Sequence, residues 1–254
     1  MIRAVHAGAL VTVILDRPPV NAIDRDFVAA FNGVVDGVEK LAPTLVVIRS
    51  KQKCFSAGAD LALVRDCFSA SSGTAAMVDY VRSLHRLFNR LERLEAVTLA
   101  VIDGPALGGG LELALSCDLR VASARATLGL PEARVGMIPG AGGTQRLTRL
   151  CGPGVSARLI LGGETVGGEE AARLGVVQWS VETEALDACV DEIIARVVGL
   201  SRPALLASKD CIAAWFDPEV DGYARELEKP WVLMNTEEAR ARINGFFGPK
   251  GDKA

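Results

Sequence analysis

Short runs of β-branched and aliphatic residues recur along the chain, separated by longer stretches in which apolar residues return every three to four positions. The runs predict strands at 10–15, 45–48, 97–102, 119–122, 126–128 and 176–179. The stretches predict helices at 24–41, 76–94, 109–116, 142–150 and 155–161. Strand alternating with helix argues for an α/β architecture with parallel strands and right-handed crossovers, and nearly all-apolar strands suit a sheet covered on both faces. After residue 180 the strand signal stops, and helices are predicted at 184–200, 203–217, 220–234 and 236–244. The expected organisation is an α/β part at 1–181 and a helical part at 182–254, joined without a linker or repeat.

Composition narrows the function classes. A net charge of −3 without a dense basic run argues against nucleic acid as a partner. No apolar run approaches the roughly 20 residues that span a bilayer. The run from Ala7 to Leu15 ends in Asp16-Arg17-Pro18-Pro19 without a cleavage site, so it is read as a strand and not a signal peptide. The C-terminal Asp252-Lys253-Ala254 is no peroxisomal address, and the expected location is the cytoplasm. The six cysteines form no C-x-x-C pair, which argues for reduced thiols instead of a zinc cage or a disulfide framework. With only His6 and His85 available, no metal site is expected.

Glycine clusters at 108–110, 140–143, 162–163 and 167–168 are the candidate ligand loops. Gly140-Ala-Gly-Gly-Thr-Gln lacks the third glycine of a dinucleotide-binding turn, no phosphate-binding G-x-x-x-x-G-K-[ST] occurs, and Ser56 lacks the glycine spacing of a nucleophile elbow. Gly108–Gly110 opens a nearly all-apolar helix that contains Glu112. A lone carboxylate there would ordinarily serve its own helix start, but apolar neighbours mean that it must be paired, protonated or serving a ligand. Glycines at a helix N-terminus also let an oxygen approach backbone N–H groups, as an oxyanion hole requires. Phe55-Ser-Ala-Gly-Ala-Asp60, after an apolar strand, could supply a second donor. Glu132 follows Leu130-Pro131 and precedes another glycine-rich turn; alone it would read as a solvated loop residue, but with Glu112 it suggests a pair that holds one water.

Together, Ala106-Leu-Gly-Gly-Gly-Leu-Glu112, Leu130-Pro-Glu132 and Ile138-Pro-Gly-Ala-Gly-Gly-Thr-Gln-Arg-Leu147 resemble the enoyl-CoA hydratase/isomerase (crotonase) family. The likeness runs from Leu15–Ala22 through Phe55–Asp60 into the helical tail, which is its least diagnostic part. The resemblance implies a crotonase-like fold, a ββα-type spiral core of parallel sheets covered by helices with a C-terminal helical subdomain. It implies that Ala59 and Gly109 donate the oxyanion-hole N–H groups, and that Glu112 activates the water adding at C3. Glu132 would then protonate C2, and Gly140 would leave room for the water. Coenzyme A, carried by the thioester substrate, would meet Arg17, Ala57, Ala59, Asp60, Leu61 and Gly109, with Lys51 and Lys53 as further candidates for its phosphates. Pro18-Pro19-Val20 replaces the longer Pro-Lys-Ala-Leu of many relatives, so a phosphate-facing lysine is missing there.

The resemblance further implies an acyl-CoA substrate and no separate cofactor. It implies a homotrimer or a hexamer built as a dimer of trimers, with Trp215, Phe216, Trp231, Phe246 and Phe247 as interface candidates. Retention of both glutamates with Gly140 favours hydration over double-bond isomerisation, which typically keeps one glutamate. Other crotonase-family acyl-CoA chemistries use the same oxyanion hole with different side chains and stay an alternative, whereas a non-catalytic relative would not need both carboxylates and the net charge of −3 argues against an RNA-binding one.

Overall fold

The computed structural model describes residues 1–247; the C-terminal residues 252–254 discussed above lie outside the described residues. The chain runs β1 (Ile2–Ala7), β2 (Leu10–Leu15), α1 (Arg25–Leu41), β3 (Leu45–Ser50), α2 (Leu61–Ser69), α3 (Gly73–Glu92), β4 (Val97–Ile102), β5 (Ala106–Leu107) and α4 (Gly109–Leu115). It continues with β6 (Leu119–Ser123), β7 (Thr127–Gly129), α5 (Gly143–Ser156), β8 (Thr165–Gly167), α6 (Gly168–Arg173) and β9 (Trp179–Val181), then α7 (Leu186–Val198), α8 (Arg202–Ala214), α9 (Gly222–Leu233) and α10 (Glu237–Phe247). The chain packs as two compact units, residues 1–195 and residues 196 onward.

In the first unit, six strands form a sheet in the order β1-β2-β3-β4-β6-β9. The β1–β2 hairpin is antiparallel, and every later pairing in this sheet is parallel. All six residues of β4 are buried, as a central strand covered on both faces must be. α1 seats Phe27, Phe31, Val35 and Val38 on the core, and α3 seats Tyr80, Leu84, Leu87 and Leu91, both at the spacing of one helical face.

Three differences from the sequence expectations have local causes. The strand expected at 176–179 begins at Trp179, because the Val176 and Val177 N–H groups bond the Ala171 carbonyl and close off α6. The strand expected at 126–128 forms at Thr127–Gly129 in a second sheet, β5-β7-β8, whose other strands are too short to show a period. The helix expected at 155–161 is the end of α5, beyond a break at Gly152 (φ 80°), followed by a wider π-type turn at Ala157–Leu161.

Two connections are laid flat on each other. The segment after β3 runs alongside β5, with Phe55 N–H donating to Pro105 O (2.9 Å) and Leu107 N–H to Ser56 O (3.0 Å). On its other side, Ile23 N–H donates to Gly58 O (2.8 Å) and Asp60 N–H to Ile23 O (2.9 Å). Buried Asn21 fastens this layer, its amide donating to Phe55 O (2.9 Å) and Ser50 Oγ (2.7 Å).

A Cβ at Gly110 would lie 2.3 Å from Ser56 O, a contact that rigid backbone cannot relieve. Helix propensity alone would make Gly110→Ala stabilising by about 1 kcal/mol, whereas overpacking costs about 1–3 kcal/mol. With backbone as the obstacle the clash wins. Gly110→Ala is expected to lower the urea midpoint, while Gly33→Ala on α1, where a Cβ meets nothing within 4 Å, raises stability by about 0.5–1 kcal/mol. Equal or greater stability of Gly110→Ala would show that the layer is not held as described.

Candidate active site

The flat layer brings the backbone at 58–59 against the opening turn of α4. A Cβ at Gly58 would lie 3.0 Å from Gly109 N, and one at Gly109 would lie 3.5 Å from Ala59 N. Among the described residues neither the Ala59 nor the Gly109 N–H has an acceptor. Two such donors from adjacent segments can bind one oxygen that carries developing negative charge, without reorganising.

Glu112 lies one turn further along α4 and is 2% exposed. Its carboxylate does not serve its own helix start. Oε1 accepts from Ala141 N–H (2.8 Å) and Gly143 N–H (2.7 Å) in the loop that leads into α5. Burial pushes the carboxyl up to about 7, the charge of Glu132 adds to the rise, and the two N–H donors and Arg146 oppose it. Gly143 is required here, since its Cβ would come within 2.9 Å of both Glu112 Oε1 and Pro139 Cβ.

Glu132 opens a one-turn 3-10 helix, Glu132–Val135, directly after Pro131. Its Oε1 would be 2.7 Å from a Cβ at Gly108, whose φ of 52° already selects glycine. Its Oε2 is buried without a hydrogen-bond partner among the described residues. Burial raises this carboxyl too. Glu132 therefore borders the turn that carries the Gly109 N–H, Glu112 lies one turn further along the same helix, and the charge of Glu132 acts on Glu112.

The remaining sequence-derived candidates divide by environment. Gly140 precedes the Ala141 amide that binds Glu112, and a Cβ there would meet Val81 and Ile138 O at 3.7 Å, ordinary contact. The Arg17 guanidinium is paired in bidentate fashion with Asp24, the residue that caps α1. Asp60 spends its side chain capping α2, accepting from Ala62 N–H at 2.8 Å. Ala57 and Leu61 are exposed, as are Lys51 and Lys53, with Lys51 3.5 Å from Asp16. Among the described residues no three His, Cys, Asp or Glu side chains cluster as a metal-binding set, and no helix is long and apolar enough to cross a membrane.

Sequence reasoning missed the support around this centre. Arg146 is 5% exposed and donates to Ala141 O (3.1 Å), Asn89 Oδ1 (2.6 Å) and Glu92 Oε2 (2.9 Å). His85 donates from Nε2 to Gly140 O. The 85, 89, 92 spacing on α3 is the signal that could have found them, because those positions share one helix face.

The sequence matches the enoyl-CoA hydratase/isomerase family over residues 6–240. It is 33% identical to a short-chain-enoyl-CoA hydratase of Clostridium acetobutylicum, covering 94% of this chain and 92% of that protein. It is 32% identical to an enoyl-CoA isomerase/hydratase of Mycosarcoma maydis, covering 92% and 88%. The crystal structure of an enoyl-CoA hydratase from Thermoplasma volcanium superposes with a TM-score of 0.88 at 28% identity, covering 95% of each chain. The crotonase-like α/β fold expected from the sequence is thereby established.

Because Glu112 has a raised folded-state value, the native state binds its proton more tightly than the unfolded chain. This contribution to stability is present at acid pH and is lost as pH rises from about 4.5 through about 7. Glu112→Gln keeps an oxygen for the two N–H donors and removes the buried charge. The variant is expected to gain thermal stability over wild type at pH 8, with the gain shrinking at pH 5. A melting-temperature difference independent of pH would overturn this electrostatic account.

Proposed function

We propose that this chain, which belongs to the enoyl-CoA hydratase/isomerase family, adds water across the 2,3 double bond of a 2-enoyl-CoA to give the 3-hydroxyacyl-CoA. The observation that carries this reading is a pair of carboxyls close enough for one charge to act on the other, Glu112 within α4 and Glu132 against its glycine opening, beside two acceptor-free N–H groups.

In this reading the thioester carbonyl accepts from Ala59 and Gly109 N–H, which draws electron density from C3. Two N–H donors favour the ionised form against the burial that raises Glu112 to about 7, a value that suits a base working near neutral pH, so Glu112 is assigned as the base. It takes a proton from water as the oxygen bonds to C3, and the π electrons move onto the thioester oxygen as an enolate. The enolate collapses to form the C2–H bond with the proton of Glu132, whose Oε2 has no donor to favour its charge. One proton enters Glu112 as another leaves Glu132, so the two exchange roles and water restores them. Each oxyanion donor contributes on the order of 3 kcal/mol to the barrier. The water is assigned to the space beside Gly140, next to the Ala141 amide that holds Glu112.

Isomerisation needs a proton moved between carbons and could use one carboxyl. It stays the second reading, supported by the dual name of the Mycosarcoma maydis relative. Arg17 is committed to Asp24, so the exposed Lys51 and Lys53 are assigned the phosphates of coenzyme A. We also assign a trimeric or hexameric assembly, supported by the strongly exposed Trp215, Trp231 and Phe246 of the second unit. The free state of all six cysteines supports a cytoplasmic location.

Purified protein mixed with crotonyl-CoA and longer 2-enoyl-CoAs is expected to bleach the conjugated-thioester absorbance. Glu112→Gln and Glu132→Gln are each expected to lower kcat by roughly 10²–10⁴-fold while acyl-CoA still binds. Wild-type inactivity on every chain length, with activity on a 3-enoyl-CoA, would replace hydration by isomerisation. Light scattering of the purified protein is expected to give a trimer or hexamer mass, and a monomer mass would remove that assignment.

A further inference from the structure

The two amides that hold Glu112 are not equally secured. Gly143 N–H belongs to the peptide whose carbonyl, Gly142 O, accepts from Arg146 N–H (2.8 Å) and Gln145 N–H (3.1 Å). The first turn of α5 therefore fixes its orientation. Ala141 N–H belongs to the peptide between Gly140 and Ala141, and no helix contains it. Among the described residues the carbonyl of that peptide has one partner, the Nε2–H of His85 on α3. The next carbonyl, Ala141 O, is held by Arg146, which α3 in turn fixes through Asn89 and Glu92.

A peptide plane flanked by glycine on one side can rotate unless both of its ends are held. One end here is bonded to Glu112 Oε1 and the other to His85. A donor on the carbonyl also polarises the amide and strengthens the N–H on the far side. The contact is thus coupled to the carboxylate through one peptide group, although His85 itself is exposed.

We propose that His85 is a positioning residue for Glu112, acting through the peptide group between Gly140 and Ala141. The proposal rests on the hydratase reading for its effect on rate, but the latch itself is testable without it. The other charged or titratable groups that bear on Glu112 are Glu132 from the turn after Pro131, Arg146 from α5 and Tyr80 from α3. None of these is altered by changing His85.

The test compares His85→Ala, which deletes the donor, with His85→Gln, whose side-chain amide offers an N–H at similar reach. Turnover of crotonyl-CoA is measured alongside the titration of the Glu112 carboxyl by ¹³C NMR, with Glu112→Gln identifying the signal. A net hydrogen bond of ordinary strength corresponds to a change of roughly three- to tenfold. His85→Ala is expected to lose about that factor in kcat with KM within about twofold of wild type, and its Glu112 midpoint is expected to rise. His85→Gln is expected to match wild type in both measurements.

His85→Ala with wild-type turnover and wild-type Glu112 titration would overturn the proposal. So would His85→Gln behaving like His85→Ala, since the ring and not the N–H would then matter. If wild type hydrates no enoyl-CoA, the hydratase reading fails, and the Glu112 titration in the two variants still decides the latch.

Discussion

The pair of N–H groups that Ala141 and Gly143 direct at one oxygen of Glu112 is the interaction on which this structure turns. A carboxylate 2% exposed among Leu111, Leu113, Ala114 and Leu115 would be prohibitively costly if left alone. Two amide donors make its ionised form attainable without a counter-ion in direct contact. The arrangement then dictates sequence around it. Position 143 must lack a Cβ, the loop after Pro139 must approach α4 closely, and α5 must begin where its first turn can present the second amide.

α3 is the girder that makes the two halves of the site rigid with respect to each other. Its apolar face, Leu84, Leu87 and Leu91, is sunk into the core, which fixes the polar positions that flank it. The Tyr80 hydroxyl donates to Ile23 O at 2.7 Å, and Ile23 bonds the segment carrying Ala59 on both sides. His85, Asn89 and Glu92 act on the loop carrying Ala141 and Gly143. One helix thus contacts both the segment carrying the Ala59 amide and the loop that holds the Glu112 carboxylate, a shared support for the two halves of the candidate site.

Much of this was legible in the sequence because it rests on steric and apolar pattern. The strands at 10–15 and 97–102 stand where the apolar runs put them, and Gly108–Gly110 with Glu112 marked the helix opening that Glu132 borders. What was not legible depends on long-range backbone pairing. β5 and β8 are two and three residues long and exist because neighbouring backbone completes them, so no periodicity announces them. Val176 and Val177 look like strand by residue type, yet the capping of α6 claims their N–H groups first. Arg146 reads as a surface residue at the start of a helix, and only the folded loop shows it 5% exposed with three acceptors.

The two carboxyls differ in burial and in hydrogen bonding: Glu112 is buried and accepts from two amides, whereas Glu132 is half-buried with Oε2 unpartnered among the described residues. Desolvation raises both, and the charge of Glu132 adds to the rise of Glu112. The two donors on Glu112 oppose that rise without cancelling it. Two carboxyls of the same residue type are thereby given different surroundings by the backbone around them. The cost is borne by glycines at 108 and 143, whose missing side chains admit one carboxylate each. A change that filled either space would displace a carboxyl before it unfolded the chain, and for that reason the glycines around this centre belong to its chemistry as much as the glutamates do.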